Sequence, residues 1–424
     1  MLPQRQLSLF TATALVVASM IGVGVFTTSG YQLDHLSREQ LLAAWFVGGL
    51  LALLGALSYG GLARRIPESG GEYIFLARTL HPAAGYIAGW ISLLVGFSAP
   101  LAAASLGFGE YLKDWLPFST PRLTGSALIL LFAALHATHV GRGAWVQNCA
   151  VLAKLLLIAG LVGVAATRLE PGAPAAATEG FPIAAFAVAL VWISFSYSGW
   201  NAAIYIGGEI RDPERNVPRA MVWGAAVVMV LYLALNTVFV YAAPVEVLAG
   251  KPEVGRIAAQ AIGGAAFADF TTALIGIALA TSVSSLLMAG PRVYARMAED
   301  GYLPGFLRFP PEGPPRAAIL FQTFLGLAIL WSSELSQLLT YIGFTLGLST
   351  AAAVVGLIRV RLKEGPEVHV PGWPWVPALF LIFVLAVSGF SIAGNPGPSL
   401  AGLATLGIGL IAWRIAYGRR QKPE

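Results

Sequence analysis

Long uncharged, apolar segments recur along almost the whole chain, and they constrain its fold more than any other feature. A membrane-spanning helix needs about 20 consecutive, mostly apolar residues. Only 11% of the 424 residues are charged, whereas a soluble domain is about a quarter charged. The sequence therefore predicts an all-α integral membrane protein with twelve transmembrane helices, at 11–33, 40–63, 79–109, 123–141, 143–167, 180–208, 220–245, 270–291, 317–333, 335–358 and the two halves of 368–413, which divide at the turn 394–398.

The Lys and Arg residues are divided unevenly between the two sides of such a bundle. Nineteen of the 26 fall at the termini and in the connections on the same side, six fall on the other side, and Lys154 lies inside the fifth segment. Cytoplasmic loops are enriched in Lys and Arg. We therefore expect a multi-pass protein of the cell membrane with both termini in the cytoplasm. The net charge of +5 then reflects this topology and does not indicate a nucleic-acid partner.

Two predicted helices contain residues that weaken a helix at membrane depth. Gly22 and Gly24 lie in the first span, where each costs about 1 kcal/mol relative to alanine. Ser196, Ser198 and Gly199 lie in the sixth, and serine side chains compete for backbone hydrogen bonds. Close helix packing would also explain either pattern alone. If spans one to five and six to ten are repeats, however, both weak points fall in the first helix of a repeat. Five spans is an odd number, so the second repeat is inverted, and such paired interruptions indicate a transporter's binding site.

An unwound helix offers main-chain groups that a ligand can bind. The N–H groups at the start of a half-helix suit a carboxylate, and carbonyl groups freed by unwinding suit an ammonium. A site with both is suited to an α-amino acid zwitterion.

Lys154 lies near the middle of the fifth span, where an ammonium costs at least about 2.5–3.5 kcal/mol. Snorkelling towards the headgroups is the alternative, and the centre of a span favours it least. Lys154 would serve either as a proton carrier or as a fixed cation that neutralises carbonyl groups of the broken first helix. Ser282, Ser284 and Ser285 of the eighth span could receive the ammonium, ligate Na⁺ or bond to their own helix. Because a lysine and Na⁺ would compete for the same oxygens, Lys154 argues against sodium.

Neither a metal site nor a cofactor is expected. The single cysteine, Cys149, excludes multi-cysteine metal centres, and no phosphate-binding loop is present to drive transport with ATP. An enzyme would need a polar dyad or a metal cluster, and a channel would need a ring of polar pore residues. The sequence displays neither pattern, so we expect a carrier and not an enzyme.

Four motifs resemble those of the amino acid–polyamine–organocation (APC) superfamily, and they are most similar to its L-type amino acid transporter branch. They occur in the expected order at 22–26, 64–73, 195–220 and 292–304. The resemblance implies a LeuT-like 5+5 inverted repeat with broken helices 1 and 6, working by alternating access. The chain would be one transmembrane domain over 1–424, with repeats at about 10–167 and 181–362 and two extra helices at about 373–417.

The resemblance also implies which residues bind the substrate. These are Met20, Ile21, Gly22, Val23, Gly24, Phe195, Ser196, Ser198 and Gly199. Phe195 would also act as an aromatic gate, and Val23 replaces the family's usual serine, which removes one possible carboxylate contact. Lys154 falls where sodium-independent members carry a lysine, and with Ser282, Ser284 and Ser285 it would couple transport.

The predicted function is therefore sodium-independent transport of neutral L-amino acids, proton-coupled or by exchange. The alternatives are a sodium symporter that uses Ser284 and Ser285, or a carrier of a polyamine or another organic cation. The family's partner subunit attaches through an external cysteine, and Cys149 lies inside a predicted span. We therefore expect the small-molecule substrate and the lipid bilayer as partners, and no disulfide-linked subunit.

Overall fold

A computed structural model describes residues 7–68, 70–138, 143–168, 181–310 and 313–420, with only the backbone described for 143–153 and 418–420. Within these ranges the regular structure is helical, apart from an isolated bridge between Leu7 and Ile210. Its α-helices are, in order, α1 (Leu9–Met20), α2 (Val23–Gln32), α3 (Arg38–Arg65), α4 (Glu72–Thr79), α5 (Pro82–Ile91), α6 (Ala99–Leu112), α7 (Pro121–Thr138), α8 (Gly143–Ala166), α9 (Ile183–Ser196), α10 (Pro213–Tyr241), α11 (Val245–Leu248), α12 (Val254–Glu299), α13 (Arg316–Ser332), α14 (Leu335–Glu364), α15 (Trp375–Gly394) and α16 (Pro396–Arg420).

Eight helical segments of the described chain are long and apolar enough to cross a membrane. They are Arg38–Arg65, Pro82–Leu112, Pro121–Thr138, Pro213–Tyr241, Val254–Glu299, Leu335–Glu367, Trp375–Gly394 and Pro396–Tyr417. The α1–α2 pair also qualifies when its two helices are counted as one span with a bend of 40°. The other three predicted spans correspond to shorter apolar helices, Lys154–Ala166, α9 and α13. The prediction of an all-helical, multi-pass membrane protein is confirmed. Both chain ends, including Arg5 and Lys422, lie outside the described residues.

Large apolar side chains on the outer helices are exposed. Examples are Leu131 on α7, Trp223 and Val230 on α10, and Leu320 and Phe324 on α13, each more than half exposed. Large apolar patches are rare on the surface of soluble monomers. It suits contact with lipid, which is as apolar as these side chains.

Small residues let the central helices approach closely. A Cβ atom on Gly49 of α3 would lie 2.5 Å from the Cγ atom of Met229 on α10. A Cβ atom on Gly48 would lie 2.4 Å from the Cγ2 atom of Ile193 on α9. Because the hydrophobic effect does not drive helices together within lipid, such close packing of backbones is a main source of helix association. It lets α3 pack directly against both α9 and α10.

The chain leaves helical geometry at two places within predicted spans. Helix α1 ends at Met20, Ile21 and Gly22 are extended, and α2 begins at Val23. Helix α9 ends at Ser196 and is followed by a turn and a 3₁₀ helix at Ala202–Glu209. A π-helix at Ser92–Ser98 also separates α5 from α6. Non-helical backbone at membrane depth is tolerated where protein or a cavity satisfies it.

The eighth predicted span is part of a longer helix than its apolar segment indicates. The 46-residue α12 begins at Val254, well before the predicted start at residue 270, and it contains a kink at Gly264 with φ 75° and ψ −170°. Residues with a Cβ atom rarely adopt this backbone conformation, so glycine permits the helix to change direction here. Arg256 and Asp269 interrupt the uncharged run, which is why the apolar pattern began only at residue 270.

Candidate functional site

The two interrupted segments face one cavity of about 600 Å³. This volume lies within the range of small-molecule binding sites. The cavity is lined by all nine residues predicted to bind substrate, namely Met20, Ile21, Gly22, Val23, Gly24, Phe195, Ser196, Ser198 and Gly199. Lys154, Ser282 and Ser285 also line it, and Ser284 is not among the lining residues.

Helix α2 begins at the cavity wall. Gly22 is its N-cap residue and makes no side-chain capping bond, and Val23 and Gly24 form its first turn. The first N–H groups of an α-helix have no acceptor within the helix. They carry the positive end of the helix dipole, which attracts anionic groups. This end of the cavity wall can therefore bind a carboxylate.

The end of α9 offers carbonyl groups to the same cavity. Phe195 is buried, with 7% of its surface exposed, and its carbonyl oxygen accepts the Ser198 N–H at 2.9 Å. The Tyr197 N–H, at the end of α9, is also directed at this oxygen and at the Ile193 carbonyl oxygen. The Ser196 hydroxyl donates to the Trp192 carbonyl oxygen at 3.0 Å and lies 3.2 Å from Thr28 Oγ1 of α2.

Two glycines bring the interrupted segments into contact. A Cβ atom on Gly24 would lie 2.3 Å from Ser196 Oγ, which is far inside van der Waals distance. Gly199 has a φ of +100°, and its Cβ atom would lie 2.6 Å from the Ser19 carbonyl oxygen. Gly24 is required because α2 and α9 approach each other closely at this point. Gly199 is required both by its positive φ and by its close approach to the end of α1.

Tyr232 of α10 connects both interrupted segments. Its hydroxyl donates to the Met20 carbonyl oxygen at 2.6 Å and lies 3.0 Å from the Ser196 carbonyl oxygen. A phenol has one O–H proton, so the two carbonyl groups share it. The ring is fully buried and packs edge-on against Trp45 with centroids 5.5 Å apart. The end of α1 and the end of α9 are therefore fixed by the same side chain.

Lys154 connects α8, the first interruption and α12. Its side chain is buried, with 5% exposed, and its Nζ atom donates to the Ile21 carbonyl oxygen and to Ser282 Oγ, both at 2.9 Å. The ion pairs formed by the described residues do not include Lys154. A buried charge must be compensated by partners, and here neutral oxygens provide that compensation.

The other two serines of the α12 group have different contacts. Ser284 Oγ lies 2.9 Å from His136 Nε2 on α7. Ser285 donates to the Thr281 carbonyl oxygen of its own helix at 2.7 Å. Ser282 is therefore the serine for which a contact with the ammonium of Lys154 is described. No group of three or more His, Cys, Asp or Glu side chains that could hold a metal ion occurs in the part of the chain that the structure describes.

A buried polar network beside the site was not predicted from the sequence. Ser29 donates to Asn236 Oδ1 at 2.5 Å and accepts from Trp45 Nε1 at 2.9 Å. Asn236 in turn donates to the carbonyl oxygen of Tyr232 at 2.8 Å. Tyr232 and Asn236 are one helical turn apart within an apolar span, which places them on one face. This pair of polar residues on one face of an apolar span is the feature of the sequence from which the network could have been predicted.

Known amino acid transporters are similar to this chain in sequence. Residues 7–413 match the family model for amino acid permeases. The chain is similar to the large neutral amino acids transporter small subunit 2 of Homo sapiens, with 28% identity across 99% of this chain and 82% of that protein. It is also similar to the serine/threonine exchanger SteT of Bacillus subtilis (strain 168), with 26% identity across 99% of this chain and 98% of that protein. The Asc-type amino acid transporter 1 of Mus musculus shares 25% identity across 99% of this chain and 83% of that protein. Because the family match spans nearly the whole chain, the protein belongs to the amino acid permease family of the APC superfamily.

Proposed function

We propose that this permease is a secondary active transporter of neutral L-amino acids that works by alternating access without sodium. The observation that carries the proposal is the convergence of two interrupted helices on one cavity. The start of α2 offers N–H groups and the end of α9 offers carbonyl groups to that cavity. This pair of main-chain ends is complementary to the carboxylate and the ammonium of an amino acid.

A neutral side chain suits the rest of the cavity. Apolar residues such as Phe97, Val191 and Phe344 contribute to its lining. Glu72 is the acidic lining residue, and its carboxylate is already bound by protein donors. The names of the similar proteins support the same substrate class, since one transports large neutral amino acids and another exchanges serine and threonine.

Sodium independence is supported by the position of Lys154. Its ammonium contacts the carbonyl group of Ile21 and the hydroxyl group of Ser282, which are oxygens of the kind that would otherwise ligate Na⁺. A cation that is part of the chain makes a dissolved cation unnecessary at this position. The name of the bacterial relative favours exchange, and proton coupling through Lys154 is the second mode that the test must separate.

The architecture that fits this function is the 5+5 inverted repeat with twelve spans. The proposed repeats cover about 10–167 and 181–362, and the two extra helices cover about 373–417. The α1–α2 break and the segment after α9 then occupy corresponding positions in the first span of each repeat. Related family members are transporters and not enzymes, so no catalytic residue is assigned.

The conformation described here is proposed to be open towards the cytoplasm. We call the part of the cavity lined by Glu72, Tyr205 and Arg292 its Arg292 end, and it lies on the side where Lys and Arg are concentrated. On the opposite side, Tyr31 packs edge-on against Trp192 with centroids 5.5 Å apart. There, too, the Tyr111 hydroxyl donates to the Phe26 carbonyl oxygen at 2.7 Å. These contacts close α2 against its neighbours.

The proposed location is the cell membrane, with both termini in the cytoplasm. One relative is named as a small subunit, which raises the question of a partner chain. Cys149 is part of α8 and falls inside the predicted fifth span, whereas the family's partner subunit attaches through an external cysteine. We therefore propose that no disulfide-linked subunit is required.

Reconstitution of the purified protein into liposomes tests the proposal directly. Uptake of labelled neutral, cationic and anionic amino acids and of a polyamine is measured with Na⁺ or choline outside, and with or without unlabelled amino acid inside. The proposal predicts uptake of neutral amino acids at equal rates in Na⁺ and choline. Uptake that occurs only with internal amino acid indicates exchange, and stimulation by an inward proton gradient indicates proton coupling. Uptake restricted to polyamines would overturn the substrate assignment.

A further inference from the structure

Glu72 has a buried carboxylate to which neither substrate binding nor the role of Lys154 assigns a function. It is the first residue of α4, and 6% of its surface is exposed. Its Oε1 atom accepts the Tyr59 hydroxyl at 2.8 Å and Asn201 Nδ2 at 3.0 Å. Its Oε2 atom accepts the Ser349 hydroxyl at 2.7 Å. One side chain therefore joins α3, α4, α14 and the segment that follows α9.

The charge of this carboxylate has no cationic partner. The ion pairs of the described residues do not include Glu72. Buried carboxylates without a cation are costly in the ionised form. Burial raises the pKa of the Glu72 carboxyl group above its ordinary value, and the hydrogen bonds from Ser349, Tyr59 and Asn201 oppose that rise.

The titratable groups that face Glu72 are phenols. Tyr59 of α3 donates to it, and Tyr205 of the 3₁₀ helix interacts with its charge. Tyr205 also contacts the turn just before α4, since a Cβ atom on Gly71 would lie 2.3 Å from its ring. Helix α5, which packs on α4, contributes Tyr86, whose hydroxyl points to the carbonyl group of residue 302. Phenols remain neutral over the range in which a carboxyl group titrates.

The basic groups of the neighbouring helices have other partners. Arg78 of α4 forms an ion pair with Glu68 on the surface. Arg359 of α14 donates to carbonyl groups at the end of α4. Arg292 of α12 lines the same cavity, and none of the described ion pairs joins it to Glu72. The charge on Glu72 therefore depends on whether its carboxyl group binds a proton, and no described salt bridge neutralises it.

Protonation would change what this side chain can hold. An ionised carboxylate only accepts hydrogen bonds, whereas a protonated one has a donor of its own and fewer acceptor positions. We propose that Glu72 is a proton-binding site at the Arg292 end of the cavity, and that its ionised form links Asn201 and Ser349 across that end while its protonated form releases the link. This inference rests on the proposed function, because the movement that it controls is the opening and closing of a transport pathway.

The first test needs no substrate, so it separates this inference from the proposed function. The purified wild-type protein is titrated with acid while infrared spectroscopy follows the C=O band of protonated carboxyl groups. We expect a component with a midpoint above that of an ordinary glutamate, absent in Glu72→Gln and retained in Glu68→Gln, which removes an exposed carboxylate nearby. A component that persists in a folded Glu72→Gln variant would overturn the proposal, whether or not the protein transports amino acids.

A second variant keeps the test decisive if Glu72→Gln does not fold. Ser349→Ala removes one donor to the ionised carboxylate and leaves Glu72 in place. Loss of a hydrogen bond to a charged group should raise the midpoint of the same component by about one pH unit. An unchanged midpoint would contradict the assignment.

The link to transport is measured with the same proteins in liposomes, at matched internal and external pH. The wild-type rate should show an inflection at the spectroscopic midpoint. That inflection should move with Ser349→Ala and disappear in Glu72→Gln. If the amino acid is transported but the inflection is the same in all three proteins, the gating role of Glu72 is wrong and the proposed function stands.

Discussion

The hydroxyl group of Tyr232 lies 2.6 Å from the carbonyl oxygen of Met20, the last residue of α1. This hydrogen bond satisfies a carbonyl group at the end of a helix that stops within a predicted span, where an unsatisfied carbonyl group is costly. The same hydroxyl lies 3.0 Å from the carbonyl oxygen of Ser196, at the end of α9. A single proton donor therefore sets the relative position of the two helix ends that surround the cavity.

Replacement of Tyr232 by phenylalanine should weaken both the fold and the site. The variant keeps the ring and leaves buried carbonyl groups without their donor, which costs about 1–3 kcal/mol. Because those carbonyl groups border the cavity, substrate affinity should fall together with thermal stability. Thermal denaturation and equilibrium binding of a labelled amino acid measure the two effects.

Tyr294→Phe is the matched control for that variant. Tyr294 is also fully buried and donates to a carbonyl group, that of Leu93 at 3.0 Å. Its loss should lower stability by a similar amount and leave substrate affinity close to that of the wild type. Equal losses of affinity in both variants would show that Tyr232 acts through general stability alone.

A methyl group on Gly24 should displace α2 from α9. In Gly24→Ala the new Cβ atom would lie 2.3 Å from Ser196 Oγ, with the Ser196 Cα atom only 2.8 Å away. Overpacking of this kind typically costs about 1–3 kcal/mol, and here the displaced segment carries the N–H groups assigned to the carboxylate. Substrate binding should fall at least about tenfold, which corresponds to about 1.4 kcal/mol.

Gly160→Ala supplies the comparison for this glycine, because nothing lies within 4 Å of its Cβ position. It should bind substrate as the wild type does. Binding by Gly24→Ala at wild-type affinity would contradict the assignment of the start of α2 to the carboxylate.

The residues that line the candidate cavity were predictable because their signals are local. Gly22 and Gly24 weaken a helix wherever its neighbours lie, so their position within the first span indicated the break that the backbone displays. A lysine in mid-membrane requires oxygen partners, and the contacts of Lys154 with Ile21 and Ser282 meet that requirement. The apolar segments likewise predicted the membrane class.

The partners of individual side chains were not predictable in the same way. Helical spacing gives the face on which a residue lies, but it does not give the rotation or height of the neighbouring helix. Ser284 therefore contacts His136 although it lies close to Ser282 in sequence. Glu72 belongs to a short connecting segment between apolar spans, where a carboxylate is expected to be solvated. Its burial depends on α14 and on Asn201, which are distant in sequence.

Removal of the Phe195 ring should separate transport from binding. The ring is 7% exposed and lines the cavity, and Phe195→Ala leaves the backbone carbonyl group in place. Affinity should therefore change little, while transport falls at least about tenfold, because the ring no longer helps to occlude the ligand. Equilibrium binding and liposome uptake provide the two values.

Phe324→Ala serves as the control, since this side chain on α13 is 67% exposed and does not line the cavity. It should leave both values unchanged. Equal losses of binding and transport in Phe195→Ala would show that the ring contributes contact area and not gating.

The sharpest prediction concerns Lys154 and the ions. Replacement of external Na⁺ by choline should leave wild-type uptake unchanged, because the lysine ammonium already bridges the first interruption and α12. Lys154→Ala should reduce net transport at least about tenfold, since hydrogen bonds to a charged donor are each worth about 1.5–3 kcal/mol. Lys363→Ala, at an exposed position near the end of α14, should transport normally.

If Lys154 carries a proton, an inward proton gradient should accelerate the wild type and have no effect on the residual activity of Lys154→Ala. In an exchanger both proteins would respond only to amino acid on the far side. A strict Na⁺ requirement in the wild type would mean that a dissolved ion is needed in spite of the lysine, and the role assigned to Lys154 would be wrong.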